Sequence, residues 1–360
     1  MKIPEITLSG SPYEIGFKHG KELKPQVWVG LETYRERYLR QRQLSWEDAK
    51  RLSLRFLPAF EGENERFIEE MRGIADGAGL TFEDILAINL RSEILYTGLV
   101  NAFKQEADEC TALAILPPKT DRGQVIAGQS WDFTLRQKDA SAIVRYRQGN
   151  GRSDMLVFLE AGMLGGKGVN RDGICLTLNA LTTSNTAVGL PLHARMRLAL
   201  EKKYLSDAYV AAVSGKIPVS VCLTITSRDG LALCLELDPA GADVLLPENG
   251  FIAHTNHFVG IKHAPTHANA GLGSTYMRYQ RIRQLLSQNS DIGLEQAESF
   301  MRDHKGYPTS ICAHPHPDTP EEELPRAGGT ICAFLTELTT GRTRFCMGNP
   351  CENEFEDVGL

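Results

Sequence analysis

The 360-residue chain has no apolar run approaching the roughly 18 residues of a membrane span. It opens MKIPEITLSG, with no basic patch ahead of an apolar stretch, so no signal peptide is expected, and its closing EDVGL is not a common targeting tripeptide. Net charge is small: 39 Lys+Arg against 45 Asp+Glu leave −6, which argues against nucleic acid or an anionic membrane held by bulk charge. None of the eight cysteines (110, 175, 222, 234, 312, 332, 346 and 351) forms a CxxC pair. Five lie inside apolar strand-like runs, which reads as small buried hydrophobes in a reducing cytosol. There is no repeat, no low-complexity linker, no GxGxxG and no phosphate loop. The glycine-rich run 162–168 reads as turns between strands.

Hydrophobic residues at 42% and charged residues at 23% describe a globular chain long enough for a sizeable core. Before residue 110 helical signals dominate. Ser45 and Thr81 each stand where a helix cap is expected, with an acidic residue three positions on. Phe67, Met71, Ile74 and Ala78 recur at helical spacing ahead of Gly79, where that helix should stop. After residue 110 strands dominate: 110–116, 124–129, 142–146, 155–159, 174–178, 219–226, 232–237, 331–338 and 343–347. Helical stretches at 191–213, interrupted near Ser206, and 276–304, broken at Asn289-Ser290, separate them, and 314–325 reads as a long surface loop. Strands in runs between helical blocks predict an α+β layered protein with mostly antiparallel sheets.

The segments that could carry chemistry are Glu109-Cys110-Thr111 and Gly128-Gln129-Ser130-Trp131-Asp132. Alone, each is weak. In order, however, they stand among Gly10-Ser11-Pro12-Tyr13-Glu14-Ile15-Gly16-Phe17-Lys18-His19-Gly20, Met71-Arg72-Gly73, Asn89-Leu90-Arg91-Ser92-Glu93, Gly168-Val169-Asn170, Asn179-Ala180-Leu181, Gly189-Leu190-Pro191, His254-Thr255-Asn256-His257, Ser310-Ile311-Cys312 and Gly348-Asn349-Pro350-Cys351. This set, spanning nearly the whole chain, resembles the acyl-coenzyme A:6-aminopenicillanate (isopenicillin N) acyltransferase family of cysteine N-terminal-nucleophile hydrolases.

The resemblance implies a four-layer αββα sandwich. It also implies a precursor that cuts itself between Glu109 and Cys110, leaving residues 1–109 and 110–360 as two chains of one compact domain. Cys110 would then be the nucleophile, its freed α-amine accepting the thiol proton. Asp132 would orient the amine and thiol, Asn256 would donate to the oxyanion, and an arginine, for which Arg326 is the candidate, would pair with Asp132. Thr111, Trp131 and His257 are the expected substrate contacts. The substrate would be a small-molecule amide or acyl thioester, with no cofactor, metal, nucleic acid or membrane partner. The α/β heterodimer would be cytoplasmic and could associate further. Two departures stand out: Glu109 replaces the glycine found before the nucleophile in the fungal enzymes, and Ser130 replaces a frequent Asn. Glycine tolerates backbone strain at a scissile bond more readily than Glu does. Two other readings remain, an uncut thiol hydrolase with a Cys110–His257 dyad and a nonenzymatic binding protein. His254/His257 and His314/His316 lack further ligands at zinc spacing and read as locally hydrogen-bonded histidines.

Overall fold

The computed structural model describes residues 3–100, 109–260 and 273–360. The polar composition of segment 104–109 suggests a stretch able to leave the pocket after cutting; of it only Glu109 is among the described residues. The helices are α1 (Pro12–Glu22), α2 (Lys24–Arg42), α3 (Trp46–Ser53), α4 (Arg66–Ala78), α5 (Phe82–Asn89), α6 (Arg91–Tyr96), α7 (Leu192–Leu200), α8 (Leu205–Val213), α9 (Gly273–Gln288) and α10 (Leu294–Met301). The strands are β1 (Glu5–Leu8), β2 (Glu109–Ile115), β3 (Ile126–Thr134), β4 (Ser141–Tyr146), β5 (Met155–Glu160), β6 (Lys167–Asn170), β7 (Ile174–Ala180), β8 (Val221–Ser227), β9 (Leu231–Asp238), β10 (Gly241–Leu245), β11 (Phe251–His254), β12 (Gly328–Glu337), β13 (Arg342–Met347) and β14 (Glu356–Val358).

Two sheets form, of eight strands (β1-β4-β5-β6-β7-β8-β9-β10) and six (β11-β2-β3-β12-β13-β14). Every named strand pair is antiparallel except β1 with β4. Phe158 of β5 packs on Phe334 and Phe345 of β12 and β13, ring centroids 4.7 and 4.8 Å away, so the sheets lie face to face. On the far side of the six-stranded sheet, Leu113, Ile115, Ile126 and Leu335 are covered by Ile282 and Leu286 of α9 and Phe300 and Met301 of α10. α7 packs on β6 and β7, and α8 on β8 and β9. The result is the expected αββα sandwich. Strands buried on both faces read as continuous apolar runs, which is why β2, β5 and β8 were visible in the sequence.

The caps fall where expected: Ser45 accepts from the Asp48 N–H, Thr81 forms a capping box with Asp84, and Gly79 ends α4 at φ 72°. α1 and α4 lie backbone to backbone because glycines interleave. A Cβ on Gly16 would sit 1.9 Å from the Glu70 carbonyl, and one on Gly73 would sit 2.2 Å from that of Tyr13. This helical block is bonded to the strand layers. His19 Nε2 accepts from the Gly162 N–H at 2.9 Å, and Glu93 accepts from the Leu192 N–H at the start of α7 at 2.7 Å. One expectation is corrected: the run 162–168 is a turn only to Gly166, and Lys167 opens β6. No helix among the described residues is long and apolar enough to cross a membrane.

Candidate active site

Strand register assembles the site. β2 against β3 sets Glu109 opposite Asp132 and Cys110 opposite Trp131. β12, on the other side of β3, sets Thr330 opposite Asp132 and Cys332 opposite Trp131, with a bulge between them. β11 pairs with β2 as far as His254 opposite Ala112, and the same register carried two residues further brings Asn256 beside Cys110. There the Cys110 N–H donates to Asn256 Oδ1 at 2.8 Å. Asp132 and Asn256 thus both lie at the strand end that carries Cys110. β2 begins one residue before the predicted start, which places the Glu109–Cys110 bond inside the first strand pair.

Alternation along β2 splits the site between the two faces of the sheet. Cys110 and Trp131 border a cavity between the sheets, shared with Arg91, Tyr96, Asp132 and Lys167. It measures about 20 Å³, room for a water and little more. The ammonium of Lys167, on the facing sheet, lies 2.8 Å from the Trp131 ring centroid. On the other face, Arg278 of α9 is fully buried over the strand end. Its Nη1 donates to the Cys110 carbonyl at 2.6 Å and to Thr111 Oγ1 at 3.1 Å, and its Nη2 donates to Asn256 Oδ1 at 3.1 Å. Its Nε lies 3.4 Å from Glu109 Oε2, and Glu109 also accepts from the Ser274 hydroxyl. Asn179 Nδ2 donates to the Cys110 carbonyl at 3.2 Å.

Two donors on Asn256 Oδ1 fix the orientation of that amide, and its Nδ2 donates to the Ala180 carbonyl at 3.1 Å. No acceptor for the second Nδ2 proton is seen among the described residues. Asp132 Oδ1 accepts from the Thr330 hydroxyl at 2.6 Å, while its buried Oδ2 has no partner among the described residues. Burial pushes the Asp132 carboxyl up to about 7, against the opposing pull of Arg278 and the Thr330 hydrogen bond. Burial likewise pushes the Cys110 thiol up to about 12 and Lys167 down to about 8. The thiol is therefore neutral near pH 7, beside two groups whose proton affinities lie close to neutral pH.

Three expectations are revised. Arg326 is ion-paired with Glu36 and Glu323 on the rim of a groove, about 470 Å³ in volume, that also borders Glu109 and Asp132. The arginine whose charge acts on Asp132 is Arg278. Thr111 is fully buried beneath Arg278 and does not line the cavity, whereas Trp131 does. His257 is committed to Thr275 Oγ1 at 2.9 Å and packs against the Tyr276 ring, centroids 4.2 Å apart and tilted by 34°, with its pKa lowered to about 4 by burial. The charges felt most strongly by the thiol are those of Lys167, Asp132 and Arg278, and that leaves the Cys110–His257 dyad without support. Arg278 had a legible signal, since Thr275, Arg278, Ile282 and Leu286 share one buried helical face and a lone arginine on such a face needs buried partners. Lys167 had none, in a glycine-rich run without alternation.

Among the described residues, metal-ligating side chains gather in two places: Cys222, Cys234 and His254, and His304, Cys312, His314 and Cys351. In the first, both His254 nitrogens are engaged, Nδ1 with the Thr255 carbonyl and Nε2 with Glu236, each at 2.8 Å.

Residues 119–352 match the family profile described as acyl-coenzyme A:6-aminopenicillanic acid acyl-transferase. The acyl-coenzyme A:6-aminopenicillanic-acid-acyltransferase 40 kDa form of Emericella nidulans is 29% identical over 310 residues, 85% of this chain and 84% of that one. Among solved structures, a Caenorhabditis elegans ortholog of N-acylethanolamine-hydrolyzing acid amidase overlays with a TM-score of 0.45 at 14% identity, covering 64% of this chain and 93% of that one. A mutant conjugated bile acid hydrolase from Clostridium perfringens overlays with a TM-score of 0.45 at 12% identity, covering 70% and 97%. With a strand-end cysteine, an aspartate and an asparagine assembled as described and nearly two thirds of its length matched to the profile, the chain belongs to the acyl-coenzyme A:6-aminopenicillanic acid acyltransferase family.

Proposed function

We propose that the chain is a self-processing cysteine amidohydrolase or acyltransferase whose acyl group passes through Cys110. The observation that carries this reading is the Cys110 peptide nitrogen held on Asn256 Oδ1 at 2.8 Å, with Asp132 and Arg278 around it and the thiol facing a cavity too small for substrate. That is the arrangement of a latent enzyme. In the first stage the Cys110 thiol gives its proton to ionised Asp132 and adds to the Glu109 carbonyl. The Glu109–Cys110 amide breaks as the thioester forms, and the nitrogen takes up the proton. Water then opens the thioester, leaving a Glu109 carboxylate and a free thiol.

In the second stage the new α-amine of Cys110, whose ordinary pKa is about 7.7–8.0, accepts the thiol proton. The thiolate attacks a small-molecule amide or acyl thioester. The oxyanion forms at the second Asn256 Nδ2 proton, the leaving amine or thiol departs protonated, and acyl-Cys110 passes its acyl group to an amine or to water. The two pieces stay together, because Phe67, Met71 and Ile74 of α4 are buried in the common core. The free thiols throughout the chain, Cys222 and Cys234 at 3.3 Å included, favour a reducing, cytoplasmic setting.

The test is a denaturing quench during turnover of an acyl-coenzyme A thioester, followed by peptide mapping. An acyl adduct on a peptide that begins at Cys110 is the expected result. Turnover with no adduct there would overturn the assignment.

A further inference from the structure

We infer that His304, Cys312, His314 and Cys351 form a zinc site that fastens the loop walling the groove beside Asp132. The four come from three places: His304 just after α10, Cys312 and His314 in the loop leading to β12, and Cys351 in the turn after β13. Their ligand atoms all lie within 4.8 Å of one another. His304 Nε2 is 3.1 Å from His314 Nε2, which is 3.4 Å from Cys351 Sγ and 3.7 Å from Cys312 Sγ, and the two sulfurs are 3.6 Å apart. A tetrahedral Zn²⁺ with Zn–N of about 2.0–2.1 Å and Zn–S of about 2.3 Å requires edges of roughly 3.3 Å for N–N, 3.6 Å for N–S and 3.8 Å for S–S. The N–N edge is the shortest of the four, and each of the four falls within about 0.2 Å of the length required.

The surroundings also suit a metal. Asn349 Nδ2, anchored on the Ala313 carbonyl at 2.7 Å, lies 3.6 Å from Cys312 Sγ, and His314 Nδ1 faces Glu352 Oε1 at 3.9 Å. Such outer partners orient thiolate and imidazole ligands. Without an ion, two imidazole nitrogens and two weakly bonding thiols point at one spot with few strong bonds among them. Binding displaces the two thiol protons, so Zn²⁺ with two thiolates and two neutral imidazoles is uncharged, and no oxidant is involved. Four protein ligands leave no open position, so the ion is structural.

The consequence reaches the site. Ala313 lies between ligands Cys312 and His314. Its N–H donates to Thr330 Oγ1 at 2.8 Å, its carbonyl accepts from the Thr330 N–H at 2.9 Å, and the Thr330 hydroxyl donates to Asp132 Oδ1 at 2.6 Å. The ion therefore holds the loop that turns the Thr330 proton toward Asp132.

The test is metal analysis of the full chain, reduced, stripped with a chelator and reconstituted with Zn²⁺ or Co²⁺. The wild type is expected to bind one equivalent, and its Co²⁺ form to show tetrahedral d–d bands with thiolate-to-cobalt charge transfer. Cys351→Ser and His304→Ala, both at exposed positions, should each lose that spectrum and bind more than about 100-fold more weakly, since losing even an outer partner costs about 10–100-fold. Chelation should lower the melting temperature of the wild type and not that of Cys351→Ser. Three results would overturn the inference: no metal uptake by the reduced wild type, a full equivalent retained by both variants, or a Cys312–Cys351 disulfide in freshly isolated protein, lighter by two hydrogens.

Discussion

Replacing Arg278 by Met tests whether the buried guanidinium organises the strand end. The substitution keeps an unbranched apolar stem and removes four interactions: those with the Cys110 carbonyl, Thr111 Oγ1, Asn256 Oδ1 and the Glu109 carboxylate. Glu109 is left buried with only the Ser274 hydroxyl. Removing one partner of a buried pair costs about 3–5 kcal/mol, and at about 2 °C per kcal/mol for a chain of this size the melting temperature should fall by about 6–10 °C. A second effect is electrostatic. Arg278 opposes the burial that raises the Asp132 carboxyl to about 7, so its loss moves Asp132 higher still, and the pH midpoint of self-processing should rise with it. Arg278→Lys keeps the charge without the fork and should fall between the two. Differential scanning fluorimetry and a gel-based processing assay from pH 5 to 9 read both effects. A variant that melts with the wild type and processes with an unchanged pH midpoint would refute the role given to Arg278.

The other predictions concern its neighbours. Asn256→Ala removes the acceptor for the Cys110 N–H and the candidate oxyanion donor, so kcat should fall by about 10²–10³, the cost of losing one such donor, in single-turnover measurements on processed enzyme. Wild-type processing should accelerate as pH rises through about 7, where Asp132 loses its proton, and a rise centred near 4 would point to His257 instead. Asp132→Asn should not process. It should melt no lower than the wild type at pH 8, because a raised carboxyl pKa makes ionisation costly to the fold. That cost is absent below the ordinary carboxylate range and grows as pH climbs to about 7.

Caps and continuously buried strands were legible because each depends on residues next to one another: Ser45 with Asp48, Thr81 with Asp84, and the run around Cys110. α1 and α2 were not. α1 carries glycines where it meets α4, and α2 buries Arg37, Gln41 and Arg42 on its inner face, so neither shows a clean apolar stripe. β6 hid among glycines. Within the site, Cys110, Asp132 and Asn256 follow from the order of motifs along the chain, whereas Arg326 stood as the candidate and Arg278 went unseen, because distance in sequence says little about which helix covers a strand end. His304, Cys312, His314 and Cys351 follow no zinc spacing because the fold, not a local turn, brings them together.

The central claim is that the chain cuts itself between Glu109 and Cys110 and then acts through the new N-terminus. Intact-mass measurement on freshly purified wild type and on Cys110→Ala, at intervals after purification, tests it most directly. Dividing 39.8 kDa by residue number gives about 12 kDa for the first 109 residues and about 28 kDa for the rest. The wild type should resolve into those two masses, with the larger beginning at Cys110, and Cys110→Ala should remain whole. A wild type that stays at 39.8 kDa while turning over an amide or thioester would contradict the account.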